Sequence, residues 1–131
     1  MYANKGFTLI ELILVTVIIG ILAGMVALNF AGRTEEARIK AAKGDIHTLQ
    51  TAIDLYALDH NDKFPKQLSE LMKPPSGRKP YVKELKKDPW SNDYVYVSPG
   101  KHYQDSYDVF SKGPDGQEGT EDDVVPWETE E

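Results

Sequence analysis

The residues of this chain that could do chemistry fall in two places. In "SKGPDGQEGTEDDVVPW", residues 111–127, five carboxylates (Asp115, Glu118, Glu121, Asp122 and Asp123) are interspersed with three glycines. Carboxylates held this close repel one another. A hard divalent cation such as Ca²⁺ relieves the conflict by accepting roughly six to eight oxygens from carboxylates and main-chain carbonyls, and glycines let a loop turn those carbonyls inward. The spacing is not that of an EF-hand, because Asp115 is followed by Gly116 and Gln117 rather than by alternating acids. Read from the residues alone, the stretch is either solvated acidic surface or a cation site. The second place is Glu11, inside the otherwise apolar "GFTLIELILVTVIIGILAGMVALNF", residues 6–30. A carboxylate costs about 2.5–3.5 kcal/mol at the centre of a bilayer and less near its face, so something must offset Glu11.

Other chemistries are excluded or unsupported. With no cysteine there is no disulfide framework, no thiol nucleophile and no zinc–thiolate site. His47, His60 and His102 show no ligand-like spacing. The net charge of −6 is uneven: residues 101–131 hold ten acids and two bases, leaving the remainder at +2. An acidic end of this kind argues against a nucleic-acid partner, for which clustered bases are expected.

The elements that must position these residues follow from periodicity. Residues 12–28 carry no charge, and a helix over residues 7–30 would be about 36 Å long at 1.5 Å per residue, enough to span a bilayer. The basic part ahead of it is the six-residue "MYANKG", with Lys5 its only charge, and cleavage cues after the run are weak, which favours an uncleaved single-span anchor over an ordinary secretory signal. Beyond it, Ile39, Ala42, Ile46, Leu49, Ile53 and Tyr56 recur at steps of three and four. That rhythm predicts an amphipathic helix continuing to His60 and packing on a domain; a coiled coil is the alternative, for which the rhythm is short. A turn, a short helix over residues 66–72 and a Pro/Gly-rich loop come next. "DYVYVS" and "SYDVFS", joined by "PGKHYQD", predict a β-hairpin, with Phe64, Trp90, Tyr94, Tyr96 and Phe110 supplying the aromatic mass that seats it on the helix. What remains outside the apolar segment builds one small globular domain.

"KGFTLIE" followed by a long apolar run resembles the N-terminal signature of type IV pilins and type II secretion pseudopilins. "KKDPWSNDYVYVSPG" and "YDVFSKGPDGQEGTEDDV" with a late Trp are similar to the major pseudopilin family, general secretion pathway protein G, and that resemblance runs over nearly the whole chain. It implies an α+β, type IV pilin-like fold: a long N-terminal helix, membrane-spanning in its first half and amphipathic in its second, packed on a small antiparallel sheet with a C-terminal Ca²⁺-binding loop. It further implies a prepilin leader over residues 1–6, a transmembrane and filament-core helix over residues 7–30, and a periplasmic globular domain over residues 31–131. The family commonly has Pro where this chain has Leu28, and the tail at residues 128–131 is longer and more acidic than the pattern.

The same resemblance implies cleavage between Gly6 and Phe7, N-methylation of Phe7, and an assembly role for Glu11, whose carboxylate would neutralise the terminal amine of a neighbouring subunit; the alternative is a Glu11 that snorkels to the headgroups. It implies Ca²⁺ held by side-chain oxygens of Asp115, Asp122 and Asp123 and main-chain oxygens of Lys112 and Thr120, with Glu118 and Glu121 as alternatives. The function implied is structural and not enzymatic. The chain would be a subunit of the periplasmic pseudopilus of a type II protein secretion system, single-pass in the bacterial inner membrane, polymerising through its N-terminal helix to push folded substrates through the outer membrane. Its partners would be copies of itself, minor pseudopilins, prepilin peptidase and an inner-membrane assembly platform. A type IV pilin of a surface fibre and a monomeric membrane-anchored Ca²⁺ module are the rival readings.

Overall fold

The computed structural model describes residues 6–73 and 76–127, with residues 28–32 described through the backbone alone. Residues 1–5 of the expected leader, the side chain of Leu28 and the acidic tail at residues 128–131 therefore lie outside the described residues. The chain divides into two compact units, Met1–Glu36 and Ala37–Glu131.

No proline interrupts the sequence between Gly6 and Asp59, and one helix, α1 (Leu9–Asp59), forms there. Within it Leu9–Ala27 is a 19-residue stretch of mean hydropathy 2.7 with none of its residues buried, long and apolar enough to cross a membrane. The later turns of α1 obey the expected rhythm. Ala42, Ile46, Leu49, Ala52, Ile53 and Ala57 are all buried, with Ile39 and Tyr56 packed at the edge of the same cluster. The helix stops where Asn61 takes a left-handed backbone (φ 55°), which lets the Asp62 N–H reach the Ala57 carbonyl at 2.9 Å. Asparagine tolerates that conformation better than most residues.

The short helix expected over residues 66–72 is a 3-10 turn, Leu68–Met72, whose Leu71 is fully buried. The hairpin is present as β1 (Val95–Val97) and β2 (Asp108–Phe110), antiparallel with Tyr96 opposite Val109. Beyond β2, a further antiparallel bridge joins Ser111 to Val124 and closes the acidic stretch into a loop.

Five tyrosines fasten the domain. Tyr94 donates to Asp45 Oδ2 at 3.0 Å, Tyr107 to Asp54 Oδ1 at 2.9 Å and Tyr81 to Asp59 Oδ2 at 2.8 Å, so three acids of α1 receive phenols from distant segments. Tyr56 of α1 donates to Glu70 Oε2 at 2.9 Å, and Tyr96 to the Pro65 carbonyl at 2.6 Å. A phenol whose ring packs into or against the core needs an acceptor for its hydroxyl, and each of these has one. Of the aromatics expected to seat the sheet, Tyr94 and Phe110 are buried, while Phe64, Trp90 and Tyr96 are partly buried against the core. Tyr107, which the sequence reading did not single out, is 7% exposed and meets Phe64 edge to face at 5.1 Å.

Candidate functional sites

At the N-terminal site, Gly6 and Phe7 precede α1 and are exposed, Phe7 at 85%. Thr8 and Glu11 then form a reciprocal pair. The Thr8 N–H donates to Glu11 Oε2 at 2.8 Å and the Glu11 N–H donates to Thr8 Oγ1 at 3.3 Å. This is a capping box, which satisfies two of the N–H groups that a helix start leaves unpaired, and the carboxylate lies at the positive end of the helix dipole. Within one chain, the helix start itself therefore offsets part of the cost of Glu11. The "TLIE" spacing carries that signal in the sequence.

The acidic loop is built on a base that the sequence did not reveal as such. Asp88, in "DPWSN", is 4% exposed, and its Oδ1 accepts the N–H groups of Trp90 at 3.0 Å and Asn92 at 2.8 Å. Its Oδ2 accepts the hydroxyl of the fully buried Ser111. Ser111 Oγ in turn accepts the Gly113 N–H at 3.1 Å, and Asn92 Nδ2 donates to the Gly113 carbonyl at 3.2 Å. Gly113 sits at φ 63° against the Asp122 carbonyl, where a Cβ would collide. Asp-Pro as a turn starter was the available cue to Asp88; nothing local pointed to Ser111 as its partner.

The five ligand positions fall out unevenly. Asp115 is exposed and its Oδ1 accepts the Gln117 N–H at 2.8 Å. Asp122 is exposed. Asp123 Oδ2 accepts the Gly119 N–H at 2.8 Å, whereas its Oδ1 is buried with no hydrogen-bond partner. A buried carboxylate oxygen without a donor is costly, and a cation is one of the few groups that can satisfy it. The Thr120 carbonyl accepts the Asp123 N–H at 3.3 Å and retains a second lone pair, and Lys112 lies between the clamped Ser111 and Gly113. Among the described residues no group of three or more His, Asp or Glu side chains is placed to hold a metal ion. Of the alternatives, Glu118 Oε1 lies 3.6 Å from Lys101 Nζ, and Glu121 is exposed.

An exposed apolar helix start carrying one capped carboxylate, with later turns seated on a two-stranded antiparallel sheet, defines the class of pilin-like subunits. A crystal structure of the major pseudopilin from the type 2 secretion system of enterohaemorrhagic Escherichia coli matches with a TM-score of 0.63 and 33% identity, over 73% of this chain and 87% of that one. The family described as type II secretion system (T2SS), protein G, matches residues 29–127, and the prokaryotic N-terminal methylation motif matches residues 1–27. The chain is 43% identical to the type II secretion system core protein G of Escherichia coli K12, over 95% of this chain and 91% of that protein. It is 44% identical to the protein of the same name from Vibrio cholerae, over 92% and 88%. The chain belongs to the type II secretion system protein G family; it is a structural pseudopilin of a secretion-system assembly, not an enzyme. Its apolar helix and methylation motif fit an inner-membrane anchor.

Proposed function

We propose that the chain is stored as a single-pass inner-membrane protein with residues 7–30 in the bilayer and residues 31–131 in the periplasm, is cut by prepilin peptidase after Gly6, and is methylated on Phe7. It then polymerises through the N-terminal helix, with minor pseudopilins and an inner-membrane platform, into a periplasmic filament that pushes folded substrates outward. The observation that carries this reading is the contrast within Leu9–Ala27: every large apolar side chain is exposed, and the lone carboxylate, Glu11, lies at the helix start. Such a surface is stable only against lipid or against other helices of its kind. Once Phe7 carries a free amine, Glu11 has a cation to meet, and the Thr8–Glu11 hydrogen bonds keep its carboxylate at the helix start until a neighbour arrives. Glu11→Ala, expressed in secreting cells, tests it. The variant should insert and be processed, yet filament formation and secretion should fall sharply. Normal secretion overturns the Glu11 account, and long surface fibres in place of a periplasmic filament favour the pilin reading.

We further propose that the acidic loop holds Ca²⁺ through Asp115, Asp122 and Asp123 and the main-chain oxygens of Lys112 and Thr120. Support comes from the orphaned Asp123 Oδ1 and from the loop closure at Ser111 and Val124. Bound there, Ca²⁺ would neutralise mutually repelling carboxylates and tie the loop to the sheet.

A further inference from the structure

We infer that Asp88 is a positioning residue for the cation loop, acting through Ser111 and Asn92; the inference rests on the Ca²⁺ reading above. Asp88 is not one of the expected ligands, yet its carboxylate begins two hydrogen-bonded routes to the backbone that carries them. One runs through the Ser111 hydroxyl to the Gly113 N–H. The other runs through the Asn92 backbone N–H and the Asn92 side chain to the Gly113 carbonyl. Lys112, whose carbonyl is an expected ligand, is thereby held on both sides.

The opposite limb is fixed at the same point. Ser111 exchanges both backbone hydrogen bonds with Val124, at 3.1 and 2.9 Å, so Asp123 is adjacent to a paired residue. The Asp122 carbonyl lies against Gly113, where any side chain would displace it. A carboxylate buried to 4% exposure must be fully hydrogen-bonded to be tolerated, and a fully bonded one is rigid. Asp88 therefore fixes where the two limbs of the loop meet before any cation arrives, and groups that orient metal ligands govern affinity nearly as strongly as the ligands do.

The test is Ca²⁺ titration calorimetry on the full chain, purified in detergent and stripped with chelator, comparing wild type with Asp88→Asn, Ser111→Ala and the double variant. Each single variant should weaken Ca²⁺ affinity by roughly 10–100-fold, the range for lost second-layer support of a metal site. The double variant should be no weaker than the weaker single, because both cut the same chain of contacts. A purely structural role would lower the melting temperature equally in chelator and in saturating Ca²⁺ and leave the affinity unmoved. Ser111→Ala removes only an oxygen, so it keeps the test decisive if Asp88→Asn does not fold. Wild-type affinity in folded Ser111→Ala overturns the inference and leaves the Ca²⁺ reading intact. A wild-type chain that takes up no Ca²⁺ overturns the Ca²⁺ reading itself.

Discussion

The hydroxyl of Tyr107 reaches Asp54 Oδ1 at 2.9 Å, with the Gln50 carbonyl at 3.2 Å, and so joins the approach to β2 to α1 across 53 residues of chain. The ring is 7% exposed and lies edge to face with Phe64, while Asp54 is on the exposed side of the helix. Tyr107→Phe keeps the packing and removes only the hydroxyl, so it should cost about 1 kcal/mol. Tyr107→Ala should cost about 3–5 kcal/mol through the cavity it leaves. Denaturant unfolding of the full chain in detergent checks both, and equal losses would mean that the ring contributes nothing.

The tyrosine–carboxylate pairs make the domain sensitive to alkali. Burial, and then the hydrogen bond to Asp59, pushes the Tyr81 hydroxyl from 10.0 up to about 12. Burial, with Asp45 or Asp54 second, also raises Tyr94 and Tyr107. Folded phenols hold their protons more tightly than unfolded ones, so their stabilisation is complete below pH 10 and is lost as the pH rises above 10, for Tyr81 through about 12. At the acid end the Tyr81 hydrogen bond, with Arg78 behind it, holds Asp59 below its ordinary 3.8; that contribution is present above pH 3.8 and is lost as the pH falls through the lowered value. The tyrosinate absorbance that Tyr81→Phe, Tyr94→Phe and Tyr107→Phe each remove from a pH series should therefore appear above pH 10. Ionisation of Tyr81, Tyr94 and Tyr107 near pH 10 in a folded chain would contradict this.

Ser91 occupies a left-handed backbone position (φ 70°) in the turn that Asp88 organises, and it is exposed. Glycine adopts that conformation without the Cβ penalty of about 1–2 kcal/mol, although it adds freedom to the unfolded chain. Ser91→Gly should therefore raise stability by about 0.5–1 kcal/mol and leave Ca²⁺ affinity unchanged. A lowered melting temperature would show that the Ser91 side chain has a role of its own.

If Ca²⁺ binds the loop, the melting temperature of the chelator-stripped full chain should rise with added Ca²⁺, the gain reaching roughly 2.7 kcal/mol at a hundredfold excess over Kd. Mg²⁺ should substitute poorly, since it demands a smaller octahedral shell. Asp122→Ala and Asp123→Ala should abolish the response, and Glu118→Ala should not. A melting temperature indifferent to Ca²⁺ would leave the loop as solvated surface.

Processing is checked by mass spectrometry of protein from its native membrane. The expected chain starts at methylated Phe7, and Gly6→Val should leave the leader attached. Intact Met1 in assembled filaments would rule out the processing account.

Much of the architecture is written in local pattern. The charge-free run at residues 12–28, the three-and-four spacing from Ile39 to Tyr56 and the alternation in "DYVYVS" and "SYDVFS" are each satisfied within one element, so α1 and the hairpin were legible. The Thr8–Glu11 capping box is also local, three residues apart, and "TLIE" encodes it. Only the tertiary structure decided what the loop stands on. Asp88 meets Ser111 across 23 residues and Tyr94 meets Asp45 across 49, and no periodicity links them. Which carboxylate becomes a buried anchor, which takes a phenol and which, like Asp123, keeps an oxygen without a donor depends on the chain closing those separations. Composition places acids in a segment; burial and the arrival of a distant donor give each one its role.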